Sequence, residues 1–191
     1  TVTNILKFLQ LSFIPINSKD REGFPLIIGG GTLAFNPLPL ADFFDVFVVG
    51  DGEEAVLEIS KIVLENKNSK NKTLALLNEL PYAFVPSLHN NEKKIHKAVV
   101  KDLNEVDAGL PLVPLIETTF NRLSIEAARG CTRGCRFCFA GMTQRPYRER
   151  DISNLANLFM SGLIHSGFDE FSPSSLSISD FSAFPQLFDC L

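Results

Sequence analysis

Apolar positions in the first half of the chain follow two spacings, one helical and one typical of short buried strands. Helical spacing over residues 1–11 predicts a first helix, and the apolar runs at 24–28 and 45–49 predict two buried strands. Residues 53–65 follow a glycine-containing turn and have helical spacing with acidic residues in the first turn, which favours a helix. Strand, glycine turn and helix in this order predict a Rossmann-like half unit and an α/β fold. The weaker patterns of this half predict one further helix and two short strands or sheet edges, over residues 73–80, 82–85 and 97–103.

The second half begins with a linker and continues with strand and helix patterns. Residues 104–121 are the predicted linker, which contains Pro111 and Pro114. Residues 122–128 predict a strand that leads directly into a cluster of cysteines. A helix through His165 and a second strand over residues 170–178 follow. The apolar stripe predicted for this helix consists of Leu155, Leu158, Phe159 and Leu163.

Residues 29–34 formally match the dinucleotide-binding pattern G-x-G-x-x-A, with Asp51 at about the expected distance. That pattern requires the glycine turn to open a helix. Pro37 and Pro39 interrupt such a helix within a turn or two. The glycines are therefore interpreted as a tight loop, and no dinucleotide site is predicted.

Composition excludes several classes of protein. The chain has 191 residues, 45% of them hydrophobic and 21% charged, with a net charge of −4, which is typical of a folded globular protein. The sequence has no apolar run of the length that spans a membrane and no signal-peptide pattern, so we expect no membrane partner and a cytoplasmic location. The overall acidity argues against a protein that coats nucleic acid. A local group of six arginines between residues 129 and 150 could still contact RNA phosphates.

Cys131, Cys135 and Cys138 form the most informative pattern, with spacing C-x3-C-x2-C. Clustered thiolates favour zinc, copper(I) or iron–sulfur clusters. Structural zinc usually has four closed ligands, and the first histidine after this triplet is the distant His165. Three thiolates on a [4Fe–4S] cluster would leave one iron open to another ligand, which makes an odd number of cysteines chemically useful. A zinc site or a purely electron-transferring cluster remains the alternative.

With Phe137 as the aromatic residue, the motif C-x3-C-x-Φ-C resembles the cluster loop of radical S-adenosylmethionine (radical SAM) enzymes. The resemblance extends over residues 125–150. It is similar to a largely uncharacterised subgroup that carries a cobalamin-binding-like domain in front of the barrel. Residues 35–37 (Phe-Asn-Pro) and 50–53 (Gly-Asp-Gly-Glu) match segments of that front domain.

The resemblance implies a reaction and its cofactors. The three cysteines would bind a [4Fe–4S] cluster, and S-adenosyl-L-methionine would occupy the fourth iron and be cleaved reductively to a 5′-deoxyadenosyl radical. An electron donor of the flavodoxin or ferredoxin type would supply the electron. Phe137 would lie beside the adenine. Ser177, Ser179 and Asp180 occupy the place of the Gly-Gly-Glu segment that contacts the methionine amino group, although Ser179 or Asp180 could equally cap the following helix.

The resemblance also implies a domain organisation. Residues 1–103 are predicted to be the Rossmann-like, cobalamin-binding-like domain, and residues 122–191 the first unit or units of a partial (βα)6 TIM-like barrel. A complete (βα)8 barrel takes roughly 250 residues, so we expect a fragment that is cut on both sides and inactive by itself. Cobalamin binding is not expected, because the ligand pattern D-x-H-x-x-G is absent and none of the three histidines has that setting.

Two alternatives remain open at the level of sequence. The first is a methylthio- or methyltransferase of the same superfamily that acts on tRNA or protein. The second is a non-catalytic zinc or iron–sulfur module. The substrate, whether a small molecule or a macromolecule, is not specified by the sequence.

Overall fold

The chain folds into two compact units, residues 1–100 and 101–191, in the computed structural model. The structure describes residues 2–90, 93–106, 111–116 and 118–189. The predicted linker thus lies only partly within the described residues. Among them, no helix combines the length and the apolar character needed to cross a membrane.

The described residues of the first unit form a small mixed sheet and three α-helices. The helices are α1 (Val2–Leu11), α2 (Glu53–Glu65) and α3 (Lys70–Glu79). The strands are β1 (Ile28–Gly29), β2 (Val46–Val48) and β3 (Ala83–Phe84). β2 is central, parallel to β1 and antiparallel to β3. Strand, glycine turn and helix occur from β2 to α2 as predicted, whereas the return strand β3 runs in the opposite direction.

Both faces of β2 are covered, which explains why this strand is entirely apolar. On one face, Val46 and Val48 pack with buried residues of α2 and α3, including Ile59 and Leu77. On the other face, Phe47 packs with aromatic and aliphatic side chains from the connecting loops and β3. Burial on both sides produces the continuous hydrophobic run that predicts a strand without alternation.

Asp45, directly before β2, is a buried carboxylate held by two cations. Its side chain accepts hydrogen bonds from Arg21, with Oδ2 3.0 Å from the Arg21 Nη2, and its Oδ1 lies 2.8 Å from the Lys70 Nζ. The backbone N–H of Ile27 also donates to Asp45 at 2.8 Å. These contacts fix the segment before β1 to the start of β2.

Two sequence predictions for this unit are wrong in detail. Residues 24–28 were expected to form a buried strand, but only Ile28 and Gly29 pair with β2, and Ile28 is 41% exposed. The prediction fails because this segment lies at the edge of the sheet, where Phe24 and Ile28 stay exposed and Leu26 and Ile27 are only partly buried. Residues 97–103 do not form a strand. Within them, Ala98 makes a single bridge to Gly50.

That bridge explains the turn after β2. Gly50 has φ +109°, and a Cβ there would lie 2.1 Å from the carbonyl oxygen of Ala98. The Asp51 carboxylate accepts the N–H of Val100 at 2.8 Å. The glycine turn therefore holds residues 98–100 of the same unit. The segment 29–34 opens no α-helix either, since Gly31–Phe35 forms a 3₁₀ turn.

The second unit is built around one β-α-β crossover. Its strands are β4 (Leu123–Glu126), β5 (Ala128–Arg129), β6 (Arg148–Glu149) and β7 (Phe171–Ser174). Its helices are α4 (Ala140–Thr143), α5 (Ile152–Ser166) and α6 (Phe184–Asp189). β4 and β7 pair in parallel and α5 connects them, while β5 and β6 form a separate antiparallel pair.

The core of this unit lies between α5 and β4. Leu155 and Phe159 are fully buried, and Leu158 and Leu163 pack around them, as the apolar stripe predicts. Gly162 approaches β4 so closely that an added Cβ would lie 2.6 Å from the Leu123 side chain. The architecture fits the α/β class. The finer assignments, to a Rossmann-like domain and to a partial barrel, stay predictions.

Candidate iron–sulfur loop

The three motif cysteines lie on one loop between β5 and α4. We call residues 130–139 the cysteine loop. Cys135 is exposed, Cys131 and Cys138 are half-buried, and all three are free thiols. The loop follows directly after the β4–β5 region, as predicted from its position behind the strand at 122–128.

The cysteine loop starts from a tightly packed base. β5 pairs with β6 through Ala128↔Glu149 and Arg129↔Arg148. At Gly130 φ is +90°, and a Cβ would lie 2.7 Å from the carbonyl oxygens of both Gln144 and Pro146. This position therefore requires glycine. Gly134, in contrast, has open space around the position of a Cβ.

Glu126, at the end of β4, pairs with an arginine of β5. Its two carboxylate oxygens accept from the Arg129 Nε and Nη2 at 2.9 and 2.7 Å. The pair is partly buried and bridges the end of β4 to β5. A two-point contact of this kind fixes the orientation of both side chains at the entrance to the loop.

Backbone N–H groups point at two of the three sulfur atoms. The N–H of Arg133 donates to the Cys131 Sγ at 3.4 Å, and that of Gly141 to the Cys138 Sγ at 3.3 Å. Such donors stabilise negative charge on sulfur. Within the part of the chain that the structure describes, however, no group of three or more Cys, His, Asp or Glu side chains is gathered closely enough to hold a metal ion. The donor chemistry fits a thiolate-bound cluster, while the three thiols share a loop rather than a closed coordination geometry.

Arg133, between the first two cysteines, reaches across to the segment that follows β7. Its Nε and Nη2 donate to the Asp180 Oδ2 and Oδ1 at 2.6 and 2.5 Å. The Arg133 guanidinium, with a further hydrogen bond from Ser177, lowers the pKa of the Asp180 carboxyl to about 2. Of the residues predicted to contact the cofactor, Asp180 is thus brought to the cysteine loop, and Ser177 is brought to Asp180.

The other predicted contacts are placed differently. Phe137 is 92% exposed on the cysteine loop, so its ring is open to a ligand. Ser179 is exposed on the 3₁₀ turn Ile178–Asp180. α6 begins only at Phe184, so neither Ser179 nor Asp180 adjoins its first turn.

A second group of contacts joins the same two regions and was missed by sequence reasoning. The Tyr147 hydroxyl donates to the Glu149 Oε1 at 2.5 Å and contacts the Asp180 carbonyl oxygen at 3.3 Å. Glu149 in turn accepts from the Ser182 N–H at 2.8 Å and from its hydroxyl. Burial opposes ionisation of Glu149, but hydrogen bonds from Ser182 and Tyr147 lower its pKa. Burial and the bond to Glu149 raise the pKa of Tyr147. No local pattern signals the contacts from Tyr147 and Glu149 to Asp180 and Ser182, because these partners are 33 positions apart.

The arginines after the third cysteine have separate roles. Arg150 is buried, and its guanidinium donates to the carbonyl oxygens of Leu103, Val106 and Glu126. Arg148 donates to the Pro146 carbonyl oxygen at 3.0 Å. Both residues thus donate to backbone carbonyl oxygens of this unit.

Comparison with known proteins agrees with the cysteine motif. Residues 1–86 match the family model described as the N-terminal part of radical SAM proteins. This match supports assignment of the chain to the radical SAM superfamily, which the cysteine loop predicted independently from a different part of the sequence.

A curated relative is an uncharacterised protein of Methanocaldococcus jannaschii, 26% identical over 181 residues, which are 94% of this chain and 38% of the relative. The chain therefore spans well under half the length of the curated relative that it matches. No solved structure gives a significant match.

Proposed function

We propose that this chain belongs to a radical SAM enzyme in which Cys131, Cys135 and Cys138 hold a [4Fe–4S] cluster. The observation that carries the proposal is the presence of three free thiols on one loop, two of them receiving backbone N–H donors. The match of residues 1–86 to the N-terminal part of radical SAM proteins supports it from outside the loop. The proposal concerns the parent protein, since this chain spans only 38% of its relative.

The cluster, when bound, supplies an electron that cleaves S-adenosyl-L-methionine to a 5′-deoxyadenosyl radical. The residues of this chain bind and orient. The three thiolates hold the iron, and Gly130 fixes where the loop leaves β5. Phe137 offers an exposed ring and its backbone to the adenine, and Ser177 and Ser179 remain the predicted contacts of the methionine end.

The charged residues around the cysteine loop favour binding of an iron–sulfur cluster. Thiolates and sulfides carry net negative charge, which nearby arginines offset. Arg129 and Arg133 flank Cys131, and each is itself held by a carboxylate, Glu126 and Asp180 respectively. Both guanidinium groups are therefore held by carboxylates, and that of Arg133 lies close enough to Cys131 and Cys135 to interact with their charge.

Reconstitution of the full-length parent protein, which contains this chain, tests the proposal. Iron and sulfide are added under anaerobic conditions, and bound iron, sulfide and zinc are measured for the unmodified chain, for Cys135→Ser and for Cys190→Ser, a cysteine outside the motif. About four iron and four sulfide per chain are expected for the unmodified chain and the Cys190 variant, with loss in the Cys135 variant. EPR spectra of the reduced protein should change when S-adenosyl-L-methionine is added.

Two results would reject the proposal. Zinc at one per chain without iron and sulfide would identify a non-catalytic zinc module. A cluster whose EPR spectrum ignores S-adenosyl-L-methionine would identify an electron-transfer or sensing cluster. If the cluster does respond, a separate assay with tRNA and protein substrates addresses the methylthio- or methyltransferase alternative.

A further inference from the structure

The segment after β7 is attached to the cysteine loop and its base at two separate places. We call residues 177–182 the anchor segment. Asp180 holds Arg133 in the loop, and Ser182 holds Glu149 on β6. The sequence distances are large, 47 residues for the first contact and 33 for the second. Neither contact arises from local chain geometry, so the tertiary fold brings these regions together.

The first contact is the ion pair between Arg133 and Asp180, which we call the tie. Two guanidinium nitrogens meet the two carboxylate oxygens at 2.6 and 2.5 Å, which is a bidentate arrangement. The side chain of Asp180 is only 17% exposed, whereas that of Arg133 is 63% exposed. The carboxylate is the fixed partner and the guanidinium comes from the exposed loop.

The second contact explains why the anchor segment is fixed. Glu149 lies on β6, which is paired with β5. It accepts both the N–H and the hydroxyl of Ser182, while the Tyr147 hydroxyl donates to Glu149 and lies 3.3 Å from the Asp180 carbonyl oxygen. These bonds hold the anchor segment to the base of the loop independently of Arg133. Asp180 is therefore a stable point against which the loop can be held.

We propose that Asp180 is a positioning residue that acts through Arg133 to hold the stretch between Cys131 and Cys135 against the anchor segment. Both oxygens of its carboxylate are engaged by Arg133, so its contribution to the loop passes through that guanidinium. The inference deepens the proposed function and rests on it only where iron loading is concerned.

Limited digestion of the metal-free full chain with trypsin, under reducing conditions, tests the tie directly. Trypsin must take the Arg133 side chain into its own pocket, so the bond to Asp180 protects the peptide bond after Arg133. Arg136 lies in the same loop and serves as an internal reference, with both cleavages quantified by mass spectrometry. Asp180→Asn should raise cleavage after Arg133 relative to cleavage after Arg136 by about two- to fivefold, the range for an exposed ion pair.

Asp169→Asn is the matched control. Asp169 is an exposed residue of the same unit, so this variant removes the same charge away from the loop. It should leave the cleavage ratio unchanged. The proposal would be overturned if Asp180→Asn and Asp169→Asn gave the same ratio of cleavage after Arg133 to cleavage after Arg136. Raising NaCl from about 0.05 to about 0.5 M should move the unmodified chain towards the Asp180→Asn ratio. This salt series also decides the matter if the variant fails to fold, since no substitution is involved.

A measurement of bound iron distinguishes failure of the positioning proposal from failure of the proposed function. After a fixed reconstitution time, Asp180→Asn should bind about half the iron and sulfide of the Asp169→Asn control. Equal loading would overturn the positioning role even if cleavage after Arg133 increases. An unmodified chain that binds no iron would reject the proposed function and with it the positioning role towards the cluster, while the cleavage ratio would still decide whether the tie exists.

Discussion

Arg150→Met removes a buried guanidinium that joins three segments of the second unit. Arg150 is 4% exposed. Its Nε lies 3.0 Å from the Glu126 carbonyl oxygen and its Nη1 3.2 Å from the Asn154 Oδ1. It also donates to the carbonyl oxygens of Leu103 and Val106. Methionine keeps much of the length and apolar contact of arginine, so the substitution mainly deletes these bonds.

The size of the expected destabilisation follows from the carbonyl oxygens that lose the Arg150 guanidinium as a donor. Three backbone carbonyls, on residues 103, 106 and 126, lose a charged donor. Each buried acceptor without a partner costs about 1–3 kcal/mol. The Leu103 carbonyl oxygen keeps the N–H of Val106 at 3.2 Å, and water entering the gap also reduces the sum. We therefore expect the free energy of unfolding of this unit to fall by about 3–5 kcal/mol, as when one partner of a buried charged network is removed. Arg150→Lys should cost less, since an ammonium still satisfies part of the set.

The assay must read the second unit separately. Hydrogen-exchange mass spectrometry across a urea series reports peptides from residues 101–191 apart from those of 1–100. Arg145→Met is the control, an identical change at an exposed arginine of the same segment, with an expected effect within about 0.5 kcal/mol. A loss below about 1 kcal/mol for Arg150→Met would refute the reasoning, because it would show that the three carbonyls do not depend on this guanidinium.

Three further predictions concern the loop and its support. Gly130→Ala should destabilise the second unit by at least about 1–3 kcal/mol and reduce iron loading, because its φ is +90° and its Cβ would meet two carbonyl oxygens at 2.7 Å. Gly134→Ala should leave stability within about 0.5 kcal/mol in the same urea experiment, and an equal loss for both variants would contradict the steric argument. Phe159→Ala, at a fully buried ring 4.8 Å from that of Phe171, should cost about 3–5 kcal/mol in urea denaturation, and a loss under about 1 kcal/mol would mean that this core does not support the unit. The carboxyl of Asp180 has a lower pKa in the folded state than its ordinary 3.8. Its ion pair with Arg133 should therefore persist above about pH 4 and be lost as the pH falls through about 2. Carbon-13 NMR of the carboxyl measures the titration midpoint, and a midpoint near 4 would contradict the tie to Arg133.

Local pattern predicts local structure well in this chain. α2 spans Glu53–Glu65, as the spacing of apolar residues and the acidic first turn predict. α3 begins at Lys70, three residues before the predicted start, because Ser69 caps it by accepting the N–H of Lys72. The polar run 66–72 concealed that start, since its lysines provide no apolar periodicity.

The sequence predicted strands less well for segments that pair along one edge only. β2 is buried on both faces and its apolar run identifies it, whereas residues 24–28 have a similar composition and only Ile28 among them pairs with β2. Residues 97–103 look like a strand edge, and their single bridge depends on the close approach that Gly50 permits. Pairing depends on the partner's position, which composition does not encode.

The sequence by itself determined which reactive groups are present and what surrounds them: three thiols at C-x3-C-x2-C, a glycine before the first of them, and a strand in front of the loop. It did not distinguish one arginine of the cluster from another. Only the tertiary structure decided that Arg133 holds Asp180 and that Arg150 is buried against backbone carbonyls. The physical reason is that spacing along the chain reports side-chain periodicity within one element, while an ion pair between residues 47 positions apart depends on how β4, α5 and β7 pack.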